Sequence, residues 1–158
     1  MYKLLKIGSK EYKLEYSIEA SLYDECVKSV MNTLLATSGG IGKTPEEMIS
    51  GMSNIPKTAL IVFYAGFLQY HGDNPDADGS VPNLETAKKL AVQFIQEHKD
   101  DEQGNFYGIF NMCIEQMEED GFFKLTGLEK FMEDLNAAAK LKRTPKKPTD
   151  RQKKATAK

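Results

Sequence analysis

One acidic segment near the middle of the chain carries oxygen-bearing residues at the spacing of a calcium-binding loop. In an EF-hand, oxygens at the first, third and fifth positions and a bidentate glutamate at the twelfth hold the cation. Residues 74–85 meet this spacing with the candidate ligands Asn74, Asp76, Asp78, Ser80 and Glu85. Asparagine at the first position, proline at the second and the lack of a paired second loop favour a solvated connector with an Asp-Gly turn. We therefore expect no metal and no cofactor, with calcium binding by this loop as the alternative.

A glycine-rich segment, residues 38–44, carries the Gly-Lys-Thr triplet that ends a phosphate-binding loop. Such a loop also requires a glycine five residues before the triplet and a buried strand upstream. Thr37 occupies the glycine position, and the upstream residues have helical rather than strand periodicity. The segment is therefore interpreted as a connection between two helices.

Side chains that could carry catalysis are few. His71 and His98 have no cysteine or carboxylate nearby in a recognised pattern, and each falls near the end of a predicted helix, where the helix dipole favours a histidine. Cys26 and Cys113 fall on apolar helix faces, which is typical of small buried side chains. We predict no catalytic residue and no enzymatic activity.

Apolar and polar residues alternate over the first sixteen residues, which is typical of two short strands. Tyr12, Leu14 and Tyr16 share one face, and Gly8-Ser9 separates the two runs. Glycine tolerates the positive φ that a tight two-residue turn requires. The pattern predicts a β-hairpin over residues 1–16, which must lay its Tyr and Leu face on helices to be stable.

Helical periodicity fills most of the chain from residue 17 to about residue 140. The predicted helices cover residues 17–35, 44–52, 56–71, 84–98, 106–117 and 128–139. N-terminal caps are predicted at Ser17, Thr44, Asn83 and Thr126. The segment 56–71 is apolar on all sides, which predicts a central position. The fold class is therefore mainly α, a compact bundle of five to six helices with a short N-terminal β-hairpin.

Charge divides the chain into an acidic body and a basic tail. Residues 1–139 hold 12 Lys and Arg against 22 Asp and Glu, whereas residues 140–158 hold 9 against 1. After Leu141 the tail has no apolar residue larger than alanine, so it cannot pack. We predict a helical domain, residues 1–142, and a disordered basic tail, residues 143–158. The tail lacks aromatic residues for base stacking, and nucleic acid is therefore an unfavoured partner.

No segment predicts a membrane span. The longest apolar run, Ala59 to Leu68, covers ten residues, which is too short to cross a bilayer. Lysines interrupt every apolar stretch near the N-terminus, so no signal peptide is expected. These patterns predict a cytoplasmic protein without a membrane partner.

Two stretches of the chain resemble the tail assembly chaperones of long-tailed bacteriophages that infect Gram-positive bacteria. One runs from Lys6 to Ile18, a short hairpin that leads into a helix. The other joins Lys88-Lys89-Leu90-Ala91 and its helix to the segment from Glu115 to Phe123. In length and order of elements the resemblance covers about residues 1–140.

The resemblance implies a small helical protein, the short non-frameshifted form, that binds the tape measure protein in the host cytoplasm. It would keep this partner soluble until tail tube subunits polymerise around it, and it would be absent from the mature virion. The resemblance also implies a longer form, made by ribosomal frameshifting, that recruits the tail tube protein. Self-association is compatible with this role. A calcium-binding helical module and a nucleic-acid-associated phage protein are the alternatives.

A chaperone of this kind requires exposed apolar grooves lined by adaptable side chains. The residues predicted to bind the partner are Met112, Met117, Phe122, Phe123 and Met132. Burial in the core is the competing interpretation for the methionines and for the two phenylalanines.

Overall fold

The computed structural model describes residues 1–37, 44–72 and 79–143. Within these residues the elements are β1 (Lys3–Ile7), β2 (Lys10–Leu14), α1 (Ile18–Leu22), α2 (Asp24–Thr37), α3 (Pro45–Ser53), α4 (Ile55–His71), α5 (Leu84–Glu97), α6 (Phe106–Glu119), α7 (Phe122–Thr126) and α8 (Leu128–Arg143). The mainly α fold class with a short N-terminal hairpin is confirmed. The described helices outnumber the predicted ones because one predicted helix is broken and a short helix precedes α8.

The hairpin forms as the alternation predicts. Strands β1 and β2 pair antiparallel, with Ile7 opposite Lys10, and Gly8 has a φ of 63° in the intervening turn. Tyr12, Leu14 and the following Tyr16 are buried, so the predicted face does pack on the helices.

Backbone groups of the hairpin also bond directly to the helices. The Gly8 N–H donates to both carboxylate oxygens of Glu97, at 2.9 and 3.1 Å, and this contact lowers the pKa of Glu97. The Glu15 N–H donates to the Gly66 carbonyl at 2.9 Å, in the middle of α4. The two-stranded sheet is thus fixed at both of its ends to helices far along the chain.

Helix α4 is the central element, as its apolar composition predicts. It packs against β2 and against α1, α2, α3, α5 and α6. Gly66 of α4 faces the end of β2. A Cβ there would collide with the side chain of Leu14 and come within 3.0 Å of Tyr16. A glycine at this position lets the hairpin approach α4 closely enough to seal the core.

The predicted continuous helix over residues 17–35 is wrong. The chain breaks at Tyr23, which is extended, with φ −82° and ψ 96°, and its ring packs edge-on against Tyr64 with 5.6 Å between centroids. The break turns α1 away from the line of α2. Ile18 and Leu22 of α1 are exposed, whereas Cys26 and Val30 of α2 are buried.

Of the predicted caps, two are confirmed by their hydrogen bonds. The Glu47 N–H donates to Thr44 Oγ1 at 3.2 Å while the Thr44 N–H donates to the Glu47 carboxylate at 3.0 Å, a reciprocal capping box. Asn83 Oδ1 accepts the Thr86 N–H at 2.9 Å. Ser17 flanks α1, but its side chain makes no capping hydrogen bond.

The cap predicted at Thr126 is wrong. Thr126 is the last residue of α7, and its hydroxyl donates back to the Phe122 carbonyl at 2.8 Å. Gly127, with a φ of 78°, then ends that helix, and α8 begins at Leu128. A threonine whose hydroxyl bonds the preceding turn cannot cap the following helix.

Several predictions concern residues outside the described ranges. These are the glycine-rich connection up to Lys43, the calcium candidates Asn74, Asp76 and Asp78, and the predicted tail apart from Arg143, which ends α8.

Candidate functional site

A groove of about 720 Å³ lies between α8 and the ends of α2, α6 and α7. Its apolar lining consists of Leu34, Ile114, Phe123, Leu128 and Met132. These side chains come from four helices, so the groove exists only because the chain turns sharply on either side of the five-residue helix α7. Apolar side chains in a groove of this size can receive the apolar side chains of a partner.

The rim of the groove is acidic. The ionisable side chains along it are Glu118, Glu119, Asp120, Lys124, Glu129 and Glu133. The Asp120 side chain is buried and paired with the Met1 ammonium, so the exposed part of the rim carries four carboxylates against one lysine. Such a rim attracts a cationic partner over roughly a Debye length, about 8 Å at physiological salt.

One end of the groove is held by Asp120, whose side chain is only 3% exposed. Its carboxylate accepts the Tyr16 N–H at 2.8 Å and the Gln116 amide at 2.9 Å, and the ammonium group of Met1 lies 3.0 Å away. A buried carboxylate is tolerated when donors satisfy its oxygens. Asp120 therefore joins the end of α6 to the segment that follows the hairpin.

The structure divides the five residues predicted to bind a partner. Met112, Met117 and Phe122 are buried in the core of the chain itself, because α4 covers the apolar face of α6 and α7 directs Phe122 against the Tyr16 ring. These three side chains offer no surface to a partner. Phe123 and Met132 line the groove.

Three groove residues were absent from the prediction: Leu34, Ile114 and Leu128. Each belongs to an apolar helix face that periodicity does reveal. The periodicity of apolar residues shows which face of a helix is apolar, but it does not show which part of that face another helix covers. It therefore cannot distinguish residues that line the groove from residues buried in the core.

The histidines have local structural roles. His71 is buried, and its Nε2 accepts the Lys13 N–H at 2.8 Å, while burial lowers its pKa. The imidazole is therefore neutral at pH 7, and the predicted stabilisation of a charged histidine by the helix dipole does not apply to it. His98 stacks on Phe94 with centroids 4.1 Å apart, and its Nδ1 lies 2.9 Å from the Phe94 carbonyl oxygen.

Both cysteines are buried and free, as their positions predict. Burial is the main cause that raises the pKa of Cys26 and of Cys113 to about 12. Each thiol is therefore fully protonated at neutral pH, and neither is a nucleophile in the folded protein.

The described residues contain no group of three or more His, Cys, Asp and Glu side chains that could hold a metal ion. Of the calcium candidates, Ser80 and Glu85 are described, and both are exposed. In the same ranges, no helix combines the length and apolar character needed to cross a membrane.

Comparison of the chain with protein-family models, with curated proteins and with solved structures finds no match. The groove and its rim are therefore the features from which a function can be argued.

Proposed function

We propose that the protein is a phage tail assembly chaperone that binds the tape measure protein in the groove between α8 and the ends of α2, α6 and α7. The observation that carries the proposal is an apolar lining enclosed by an acidic rim. The phage assignment rests on the sequence resemblance described above.

The groove specifies the chemistry of its partner. An amphipathic helix that docks in such a groove inserts apolar residues at three- and four-residue spacing. Its flanking residues would have to be Lys or Arg to meet the rim that Glu118, Glu119, Glu129 and Glu133 form. A long helical filament with many such segments would offer repeated sites of moderate affinity.

The two predicted residues that do line the groove suit repeated, imperfect sites. Met132 has an unbranched, polarisable side chain that adapts to different neighbours. Phe123 is partly buried, packed against the buried Phe122 with ring centroids 6.0 Å apart, and so presents a fixed apolar surface. One adaptable and one fixed contact allow binding to many related segments of one partner.

In this proposal the protein acts in the host cytoplasm and leaves before the virion is complete. Recruitment of the tail tube protein is assigned mainly to the longer frameshifted form. The short form covers apolar segments of the tape measure protein until the tube replaces it.

Co-expression with a tape measure fragment tests the proposal. The wild-type chain should bring an otherwise insoluble fragment into the soluble fraction, and Met132→Asp should abolish this by placing a charge in the apolar groove. Val92→Asp is the matched control, because Val92 is similarly apolar, is 42% exposed and lies on α5 outside the groove.

The control variant should solubilise the fragment as well as wild type does. Circular dichroism of both variants must show wild-type helix content. A fragment that stays insoluble with the wild-type chain, or equal solubilisation by the folded Met132→Asp variant, would contradict the proposal.

A further inference from the structure

The basic segment that follows α8, residues 144–158, is opposite in charge to the rim of the groove. It holds six Lys and Arg against one Asp. The exposed part of the rim holds one lysine against four carboxylates, those of Glu118, Glu119, Glu129 and Glu133. Opposite charges joined in one chain attract each other, most strongly at low salt.

Helix α8 leads from the groove to this basic segment along one side of the helix. Glu129, Glu133 and Asn136 line the groove at spacings of four and three residues. Seven residues after Asn136, at two further helical turns, α8 ends at residue 143. The chain therefore leaves α8 on the side of the helix that faces the groove.

The basic segment is long enough to return over the rim. Glu129 lies fourteen residues before the end of α8, which is about 21 Å along the helix axis. Fifteen residues follow α8, and an extended chain covers about 3.3 Å per residue. Pro145 disfavours a helical backbone at the residue before it, so the sequence does not favour continuing α8 away from the groove.

We propose that the basic segment of each chain lies along the acidic rim of its own groove and competes there with the cationic residues of a partner. Tethering gives such a segment a local concentration of about millimolar, so weak exposed ion pairs suffice to hold it at the rim for part of the time. The identity of the competing partner rests on the proposed function, whereas the contact within the chain does not.

The composition of the basic segment determines what displaces it. Residues 144–158 include no Val, Leu, Ile, Met or aromatic residue. The segment therefore covers the charged rim and leaves the apolar lining open. A partner that adds apolar contacts to its basic residues displaces it, whereas a partner with charge alone has no advantage over it. The segment thus makes the groove selective for amphipathic partners.

Paramagnetic relaxation of methyl signals in the full chain measures the contact without any partner. A nitroxide on Ala155→Cys labels one site, because Cys26 and Cys113 are buried and their pKa values are raised to about 12. At low salt it should broaden the methyl signal of Met132 in the groove. Val92 on α5, outside the groove, should keep a sharp signal.

The matched control is a neutral segment of the same length, with the substitutions Lys146→Gln, Lys147→Gln, Arg151→Gln, Lys153→Gln and Lys154→Gln. It samples the volume that tethering alone permits. The Met132 methyl should relax roughly threefold or more faster with the wild-type segment than with the neutral one, because charge concentrates the segment at the rim. Salt at 1 M, where the Debye length is about 3 Å, should remove the difference.

Paired substitutions locate the contact on the rim. Glu129→Gln with Glu133→Gln should slow the relaxation of Met132 to the rate of the neutral segment. Asp100→Asn with Asp101→Asn removes two exposed carboxylates outside the groove and should leave it unchanged. Equal relaxation with the charged and the neutral segment would overturn the proposal, and so would equal effects of the two paired substitutions.

A mixed sample tests whether the contact lies within one chain. Isotope-labelled chains without nitroxide, mixed with nitroxide-labelled chains without isotope, should keep a sharp Met132 signal. Broadening in this sample would place the segment in the groove of a second copy and would overturn the contact proposed here.

Co-expression with the tape measure fragment separates this inference from the proposed function. At equal expression, the chain with the neutral segment should bring more of the fragment into solution than wild type does, because it lacks the competitor. Equal solubilisation by both chains would overturn the competition. A segment that contacts the rim in a wild-type chain that fails to solubilise the fragment contradicts the proposed function alone. Solubilisation by a wild-type chain without the contact contradicts this inference alone.

Discussion

The hairpin side of α4 and the α8 side of the molecule use similar residues in opposite ways. On the hairpin side, Leu14, Tyr16 and Phe67 have no exposed surface. On the α8 side, Phe131 and Leu135 keep more than a third of theirs. Apolar content alone therefore does not determine burial in this chain.

What separates the two regions is the number of elements that converge on each. Helix α4 is covered by β2 and five helices. Backbone hydrogen bonds from the hairpin to α4 fix the orientation of the hairpin on this helix. Helix α8 has α7 as its main neighbour. The first region therefore carries the stability of the fold, and the second carries the surface that remains available for binding.

The adjacent residues Phe122, which is buried, and Phe123, which lines the groove, give the largest expected difference in stability. Phe122→Ala should lower the free energy of unfolding by about 3–5 kcal/mol, because it opens a cavity against Tyr16. Phe123→Ala removes a partly buried ring and should cost roughly 1 kcal/mol while weakening partner binding. Urea denaturation of both variants measures the difference. Equal losses of stability would erase the distinction between the two regions.

Asp120 lies where the two regions meet and should show the next largest effect. Asp120→Ala leaves the Tyr16 N–H without an acceptor and removes one of the two acceptors of the Gln116 amide, and we expect a loss of about 2–4 kcal/mol in unfolding free energy. Glu119→Ala, an exposed carboxylate one residue earlier, should change it by less than about 0.5 kcal/mol. Similar thermal melting temperatures for the two variants would show that the hydrogen bonds of Asp120 contribute little.

A smaller, pH-dependent effect should come from His71 on the hairpin side. Burial lowers the pKa of His71 below its ordinary value of 6.5. The unfolded chain therefore binds a proton at this histidine more readily than the folded chain does. The neutral imidazole makes its full contribution to stability above pH 6.5, and this contribution is lost as the pH falls through the lowered pKa. The loss should be about 1 kcal/mol, since protonation of Nε2 ends its hydrogen bond with the Lys13 N–H.

The variant His71→Gln is the control, because a glutamine oxygen can accept a hydrogen bond but does not titrate in this range. Denaturation across pH 4 to pH 7, at about half-unit steps, should give a steeper dependence for wild type. The same slope in both proteins would remove His71 as the cause.

The cysteines should show no effect in the folded state. With pKa values of about 12 and buried sulfurs, Cys26 and Cys113 should resist a thiol reagent at pH 8 and react only as fast as the protein opens. Colorimetric titration with and without urea measures this. Rapid modification in native buffer would show that the core around α2 and α6 is not sealed.

Much of the fold could be predicted because local signals agree with tertiary packing. The Gly8 turn, the alternation ending at Tyr16, and the caps at Thr44 and Asn83 are all local and are all confirmed. The break at Tyr23 could not be predicted, because apolar periodicity continues through it and its partner, Tyr64, lies in another helix.

The groove was only partly predictable because it also depends on contacts between helices that are far apart in the sequence. Phe123 and Met132 were identified by residue type, but so were Met112 and Met117, which lie on the covered face of α6. Whether an apolar side chain remains open depends on which helix packs over it. In this chain α4 covers Met112 and Met117, whereas the turn at Gly127 places α8 beside the groove.

The hydrogen bonds of the hairpin impose an order on folding. Its backbone groups bond to partners 58, 89 and 104 positions further along the chain, at His71, Glu97 and Asp120. During synthesis the hairpin leaves the ribosome before these partners, the last of which emerges only when α6 is complete. Closing such distant contacts carries an entropic cost and slows folding. Residues 1–16 therefore acquire their final arrangement only after most of the helical domain has been made.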